Sequence, residues 1–130
     1  MGPGPGRILI VDDEPALLKM MSVYLRRLGY EVETASGTES AWARIEADPG
    51  GFVAAVLDAT MPGLSLNELA LRALRAAPDL RVIAASGYPV DMSEIQAAGL
   101  GRVAFLPKPF TPEMLADVVR RMLGPKEETV

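Results

Sequence analysis

Blocks of apolar residues alternate with helical patterns along the 130-residue chain. Three blocks, at 8–11, 53–57 and 81–85, are continuously apolar or nearly so, which is typical of strands buried on both faces of a sheet. A fourth block, at 31–35, alternates between polar and apolar residues and therefore predicts an edge strand with one wet side. The predicted strands are Ile8–Val11, Glu31–Ala35, Val53–Leu57, Arg81–Ala85 and Val103–Leu106.

Between these strands, apolar residues recur at helical spacing, and small polar residues mark several helix starts. Ser36 and Ser65 are each followed three residues later by a glutamate, which predicts two capping boxes. Thr111 stands before a proline at the first helical position. The predicted helices cover 15–28, about 37–47, about 66–76, 91–98 and about 112–123.

Strictly alternating strands and helices predict an α/β domain, with helices on both faces of a parallel sheet. Because the alternating strand belongs at an edge, we expect the doubly wound strand order 2-1-3-4-5. The expected domain covers residues 7–123. Residues 1–6 are interpreted as a flexible tail or an expression scar, and 124–130 as a flexible C-terminal tail.

Charge and composition exclude several classes of function. A net charge of −4 without a basic run argues against direct nucleic acid binding and against an anionic membrane surface. The chain has no bilayer-length apolar stretch and no secretory signal, so we expect it to be cytoplasmic. Cysteine and histidine are absent, which removes disulfides, the usual zinc ligand and the usual general base. Any chemistry must use carboxylates, hydroxyls and lysine.

Polar residues follow four of the predicted strands. Asp12 and Asp13 follow the first strand, Asp58 the third, Ser86 the fourth and Lys108 the fifth. Each alone is ordinary: an acid before a helix is commonly a cap, and the others are turn or surface residues. Together they lie at the edge of a doubly wound sheet where ligands bind. Clustered carboxylates without imidazole predict Mg²⁺ or Mn²⁺, and a carboxylate can attack phosphorus.

The motifs at these strand ends resemble those of the response regulator receiver domain. They read VDDEP at 11–15, LDATMPG at 57–63, SGY at 86–88 and KPF at 108–110, in the family's order and spacing. The resemblance covers about 7–123. It implies a flavodoxin-like (βα)5 three-layer sandwich that receives a phosphoryl group from a partner's phosphohistidine.

By position, the resemblance also implies roles for individual residues. Asp58 would accept the phosphoryl group, Asp13 would bind Mg²⁺ directly, and Asp12 would support the metal through water. The backbone carbonyl of Thr60 would be a further ligand. The phosphoryl oxygens would be bound by Ser86 and Lys108, and the Lys108–Pro109 peptide would be cis.

Three positions in two places depart from the family pattern. Ser65 and Leu66 stand where an aspartate-glycine pair is common, which affects the loop after Asp58 more than the fold. Phe105 stands where the family often has tyrosine. It could be a ring that moves when Ser86 engages phosphate, or a permanently packed core ring.

Three functions remain open on the sequence. The first is a phosphoacceptor switch, which is not itself an enzyme, fed by a histidine kinase or a histidine phosphotransfer protein. The second is a pseudo-receiver that is never phosphorylated and serves for dimerisation or docking. The third is a hydrolase, disfavoured because Thr60 stands where such phosphatases place a second acid. The chain could be a stand-alone regulator or a receiver segment of a hybrid sensor kinase, and homodimerisation is left open.

The first helix predicts a docking patch for the phosphohistidine partner. Its core-facing residues are expected to be Leu17, Leu18, Met21, Leu25 and Leu28, and its polar side Lys19, Ser22, Arg26 and Arg27. Ala16, Met20 and Val23 form a second apolar stripe at i, i+4 and i+7. We expect this stripe, with Pro109 and Phe110 across the cleft, to contact the partner.

Overall fold

The computed structural model describes residues 6–59 and 65–123. Five strands alternate with five α-helices, and a short 3₁₀ helix, Pro49–Gly51, precedes the third strand. The strands are β1 (Arg7–Val11), β2 (Glu31–Ala35), β3 (Ala54–Asp58), β4 (Arg81–Ser86) and β5 (Val103–Pro107). The helices are α1 (Pro15–Arg27), α2 (Thr38–Ala47), α3 (Leu66–Ala76), α4 (Ser93–Gly99) and α5 (Pro112–Leu123). Both tails expected from the sequence fall, apart from Gly6, outside the described residues.

The strands form one parallel sheet in the order β2-β1-β3-β4-β5, which confirms the predicted doubly wound topology. The register aligns the strand ends: Val11 is paired with Ala35 and with Leu57, and Ser86 with Pro107. Parallel strands in this order place the residues that follow β1, β3, β4 and β5 along one edge of the sheet.

Two hydrophobic clusters cover the two faces of the sheet. Successive strand side chains point to opposite faces, so β1 sends Leu9 and Val11 into one cluster and Ile8 and Ile10 into the other. The first cluster is completed by α2, α3 and α4, and the second by α1 and α5. The central strands are therefore buried on both faces, as their continuous apolar sequences predict.

Two of the three predicted helix caps are confirmed. The Ser65 hydroxyl accepts a hydrogen bond from the Glu68 N–H at 3.1 Å, and the Thr111 hydroxyl accepts one from the Met114 N–H at 3.1 Å. The predicted capping box at Ser36 is wrong, because α2 begins at Thr38 with Gly37 as its N-cap. β2 ends at Ala35 as predicted, but Gly37 rather than Ser36 takes the cap position, so α2 begins one residue later than the capping box implied.

Three residues in or beside helices differ from the sequence prediction. Leu28 does not face the core: α1 ends at Arg27, and Leu28 is its C-cap with 39% of its surface exposed. Ser22 is not on the polar side of α1 but is buried at 7% exposure, because that flank of the helix lies over β2. Asp91 lies before α4 rather than in it, and its Oδ1 accepts hydrogen bonds from the Ser93 N–H and hydroxyl. Within 6–59 and 65–123, no helix has the length and apolarity needed to cross a membrane.

Candidate functional site

The polar residues at the four strand ends meet in one cleft, as the topology predicts. Asp58 is the last residue of β3 and Ser86 the last of β4, while Asp12 and Lys108 directly follow β1 and β5. Three of these side chains are almost completely buried, with exposures of 1% for Asp12, 5% for Asp58 and 1% for Ser86. Polar groups buried to this extent usually have a dedicated purpose, because removing them from water is costly.

Three carboxylates form the acidic part of the cleft. One carboxylate oxygen from each of Asp12, Asp13 and Asp58 lies within 4.8 Å of the other two. Asp13 is exposed, whereas the other two are buried, so a cation could enter from the Asp13 side. A set of hard oxygen ligands suits Mg²⁺ or Mn²⁺ and does not suit zinc. The carbonyl of Thr60, the further ligand expected from the sequence, lies outside the described residues.

Lys108 is the cation that faces these carboxylates. Its Nζ donates a hydrogen bond to Asp12 Oδ2 at 3.0 Å and lies 3.5 Å from Asp58 Oδ2. Burial by itself would lower the pKa of Lys108, but its hydrogen bond to Asp12 and the charges of Asp12 and Asp58 outweigh burial and raise that pKa. The side chain therefore remains a charged donor directed at the carboxylates of Asp12 and Asp58.

Asp12 is held from two sides. Its Oδ2 receives the Lys108 hydrogen bond, and its Oδ1 accepts one from the Glu14 N–H at 3.0 Å. Burial raises the pKa of Asp12, although both hydrogen bonds act in the opposite direction. The carboxylate is therefore fixed in place at an electrostatic cost that an added cation would reduce.

The backbone near Ser86 orders the other side of the cleft. The Ser86 hydroxyl accepts a hydrogen bond from the Tyr88 N–H at 3.0 Å, and the Ser86 carbonyl accepts one from the Lys108 N–H at 2.8 Å. This second bond continues the β4–β5 pairing up to Lys108. The Lys108–Pro109 peptide is cis, which confirms the prediction.

A groove of about 430 Å³ opens on the rim of the cleft. The sequence had singled out three of its residues, Lys108, Pro109 and Phe110. The lining is completed by Leu17, which the sequence analysis assigned to the core, and by Glu14 and Gly87, which it named only as parts of motifs. Nothing in the local pattern marks a loop residue such as Gly87 as part of a groove; only its position directly after Ser86 could have suggested it.

The apolar stripe predicted on α1 is only partly exposed. Ala16 is exposed and Val23 has 39% of its surface exposed, but Met20 is half-buried and packs against the core cluster of α1 and α5. Of the residues expected across the cleft, Pro109 is exposed and Phe110 is half-buried against the same cluster. The accessible apolar surface on α1 is therefore smaller than the sequence pattern indicated.

Phe105 is half-buried on β5, packed against the cluster of α2, α3 and α4. It lines two surface cavities, of about 270 and 350 Å³, and Ser86 lines the second. The residue therefore borders free volume, and it is paired with Ala84 near the end of β4. Its movement stays a prediction.

Comparison with known proteins identifies the family. The family model of the response regulator receiver domain matches residues 8–120. The chain belongs to this family. This receiver domain is 33% identical to the DNA-binding transcriptional regulator NtrC of Azospirillum brasilense over 117 residues, which are 90% of the chain and 24% of that regulator.

Solved structures agree with this assignment. The receiver domain of the hybrid histidine kinase CckA is 34% identical with a TM-score of 0.77, over 92% of this chain and all of that one. The response regulator TrrA of Thermotoga maritima, in complex with Mg²⁺ and BeF, is 29% identical with a TM-score of 0.76, over 90% and 98% of the two chains. The chain spans about a quarter of the NtrC regulators that it matches.

Proposed function

We propose that this receiver domain accepts a phosphoryl group on Asp58 from a partner's phosphohistidine. The observation that carries the proposal is the position of the Asp58 carboxylate. It is buried at the end of β3, within 4.8 Å of two further carboxylates and 3.5 Å from the Lys108 ammonium. A carboxylate so placed combines a nucleophile with the positive charge and metal ligands that phosphoryl transfer requires.

The transfer can be written with each residue in a role. An Asp58 oxygen attacks phosphorus, the P–N bond to the donor imidazole breaks, and the imidazole keeps the bonding electrons and takes a proton from solvent. Asp12, Asp13 and Asp58 would hold Mg²⁺, with the Thr60 carbonyl as the further ligand expected from the sequence, and the charge of the ion would offset that of the phosphoryl oxygens. Lys108 releases one carboxylate contact to bind a phosphoryl oxygen, and the Ser86 hydroxyl donates to another.

Two of the similar structures support this assignment. TrrA is described in complex with Mg²⁺ and BeF, and the CckA receiver belongs to a hybrid histidine kinase. The pseudo-receiver is the weaker alternative, since a docking module would need neither the buried carboxylates nor Lys108 beside them.

A domain that receives phosphoryl groups from phosphohistidine acts in the cytoplasm, where kinases bind ATP. It can belong to a stand-alone regulator or to a hybrid kinase, as a monomer or a homodimer.

Incubation with acetyl phosphate and Mg²⁺, followed by intact mass spectrometry, tests the acceptor. We expect one phosphoryl group on the wild type and none on Asp58→Asn. Asp79→Asn, which removes an exposed carboxylate at the other end of the sheet, should be labelled like the wild type. Labelling of Asp58→Asn to the same level would refute the assignment, and no labelling of the wild type would favour the pseudo-receiver.

We further propose that the partner docks on the rim of the cleft. The groove beside Lys108, Pro109 and Phe110 offers apolar surface, and Ala16, Met20 and Val23 extend it along α1. Val23→Glu tests this patch with less risk to the fold than a change at half-buried Met20. It should slow transfer from the cognate phosphohistidine protein about tenfold or more, because it buries an unpaired charge in the complex.

Leu28→Glu is the matched control for this patch. Leu28 has the same 39% exposure as Val23 and is the C-cap of the same helix, five residues further from the cleft. Transfer to Leu28→Glu should stay at the wild-type rate, and both variants should be labelled normally by acetyl phosphate. If transfer from the protein donor is slowed equally in Val23→Glu and Leu28→Glu, docking on the patch that includes Val23 is contradicted.

A further inference from the structure

The outer edge of β2 is a second surface that could bind a ligand, and it does not depend on Asp58. β2 is the first strand of the sheet and pairs only with β1. The pairing uses its odd-numbered residues: the Glu31 N–H donates to the Gly6 carbonyl, and the Ala35 carbonyl accepts from the Asp12 N–H. In a parallel pair, the intervening residues direct their backbone groups away from the neighbouring strand. The N–H and C=O of Val32 and Thr34 therefore point outward.

Arg26 occupies part of this edge. Its Nη2 donates a hydrogen bond of 3.1 Å to the Val32 carbonyl, which confirms that this carbonyl points outward. For Thr34, in contrast, the described residues supply no partner to either backbone group. An exposed pair of this kind is a template for one more strand. A single residue of an antiparallel segment can make two hydrogen bonds to Thr34.

The surface beside Thr34 is a groove between β2 and α1 of about 410 Å³. Leu18 and Val23 supply apolar lining, and the charged residues of the groove are Lys19 and Arg26, both basic. Lys19 has no acidic partner within 6–59 and 65–123.

The acidic residues of β2 are directed to the other face of the sheet. Glu31 and Glu33 pair there with Arg7, and Glu33 also pairs with Arg44. The side of β2 that faces α1 is thus locally positive in a chain whose net charge is −4.

We propose that this edge binds a short, extended, acidic segment of a partner protein by strand addition to β2. Main-chain hydrogen bonds to Thr34 give the segment its extended form, and an acidic side chain of the segment pairs with Lys19. Because Arg26 already occupies the Val32 carbonyl, the added strand is limited to the two or three residues that pass Thr34. Such a contact is weak alone and adds to binding made elsewhere.

An NMR titration of the ¹⁵N-labelled Asp58→Asn protein tests this inference without any phosphorylation. The probe is the capped peptide Val-Glu-Val-Glu-Val, and its lysine analogue Val-Lys-Val-Lys-Val is the charge control. We expect amide shifts centred on Thr34 and Lys19 with the acidic peptide alone. Methylation of the peptide's backbone nitrogens should abolish the shifts, because it removes the donors that strand addition requires.

Lys19→Gln and Arg75→Gln are matched variants, since each removes one exposed cation from a helix. We expect Lys19→Gln to weaken the acidic peptide about two- to fivefold, the range of one exposed ion pair, and Arg75→Gln to leave it unchanged. The inference is overturned by an unperturbed Thr34 at millimolar peptide, or by equal binding of the methylated peptide. Thr34 shifts that grow with protein concentration alone would overturn it in favour of a second copy of the chain.

Discussion

The charged side chains at the two ends of the sheet are paired in opposite ways. At the end where the strands finish, three carboxylates and one lysine leave two negative charges in a small buried cleft. At the end where the strands begin, arginine guanidinium groups donate hydrogen bonds to backbone carbonyls. Arg102 donates to the carbonyls of Leu74, Ala77 and Leu80, and Arg81 to those of Asp79 and Met122.

The difference separates a stabilising arrangement from one suited to function. The arginines bind carbonyls in the last turns of α3 and α5 and in the loop that follows α3, where the regular helical hydrogen bonds end. The guanidinium groups of Arg81 and Arg102 are therefore engaged in hydrogen bonds that stabilise the fold. The aspartates repel one another instead, and this repulsion falls only when a further cation arrives. The charge that weakens the free domain is therefore the charge that a metal ion would use.

The largest effect on the free energy of unfolding is expected when Arg102 is replaced, at the end of the sheet where the strands begin. Arg102→Met should lower the free energy of unfolding by about 3 kcal/mol, because three part-buried carbonyls lose a charged donor. Urea unfolding measures the change. Arg102→Lys should recover little of it, since one ammonium cannot reach all three acceptors, and exposed Arg121→Met should stay within about 0.5 kcal/mol of the wild type. If Arg102→Met and Arg121→Met lower the free energy of unfolding equally, the three hydrogen bonds of Arg102 do not stabilise the fold as proposed.

Mg²⁺ should act at the opposite end. At a free concentration ten times its dissociation constant, it should stabilise the wild type by about 1.4 kcal/mol, because it binds the folded state alone. Thermal melts in Mg²⁺ and in chelator measure this difference. It should vanish in Asp13→Asn and persist in Asp79→Asn, which lies at the arginine end. Identical wild-type melts in the two buffers would exclude the metal site.

Removing one charge from the cleft should give a smaller effect of the opposite sign to Arg102→Met. Asp58→Asn in chelator should be as stable as the wild type or more stable by up to about 1 kcal/mol, because it relieves repulsion while Lys108 keeps its hydrogen bond to Asp12. Urea unfolding in chelator reports it. A clear loss of stability would mean that the carboxylate is a structural group, like the arginines.

Asp91 should show the smallest effect, through pH. Its hydrogen bonds from the Ser93 hydroxyl and N–H lower the pKa of the Asp91 carboxyl. A lowered pKa in the folded state adds stability above the unfolded value of 3.8, and this gain is lost as the pH falls through the folded value. The stability difference between wild type and Asp91→Ala should therefore shrink between about pH 5 and pH 3. A difference that is independent of pH would contradict the ionic contribution.

The sequence predicts the fold well because both faces of the central strands must be apolar. Continuous apolar runs therefore mark β1, β3 and β4 directly, and the polar residues that end those runs become the cleft. The exact residue at which a helix begins is less predictable from the sequence. The pattern at Ser36 fits a capping box, yet Gly37, the next residue, takes the cap position.

Contacts between distant segments are beyond the local pattern altogether. Arg102 follows a glycine in an unremarkable loop, and its three acceptors lie 22 to 28 residues earlier. Leu28 and Ser22 were misassigned because helical periodicity gives the direction of a side chain but not how far the sheet extends beneath it. The outward backbone groups of β2 require the register with β1.

The hydrogen bond between Lys108 and Asp12 joins residues 96 positions apart in the chain. β5 is the last strand in the chain and pairs with β4 at the edge of the sheet. The lysine reaches the cleft only after β5 has joined the sheet. Nascent chains that stop before this point would hold the acidic residues without their cation. The proposed phosphoryl transfer would therefore require the complete sheet, because only then does Lys108 lie beside Asp58.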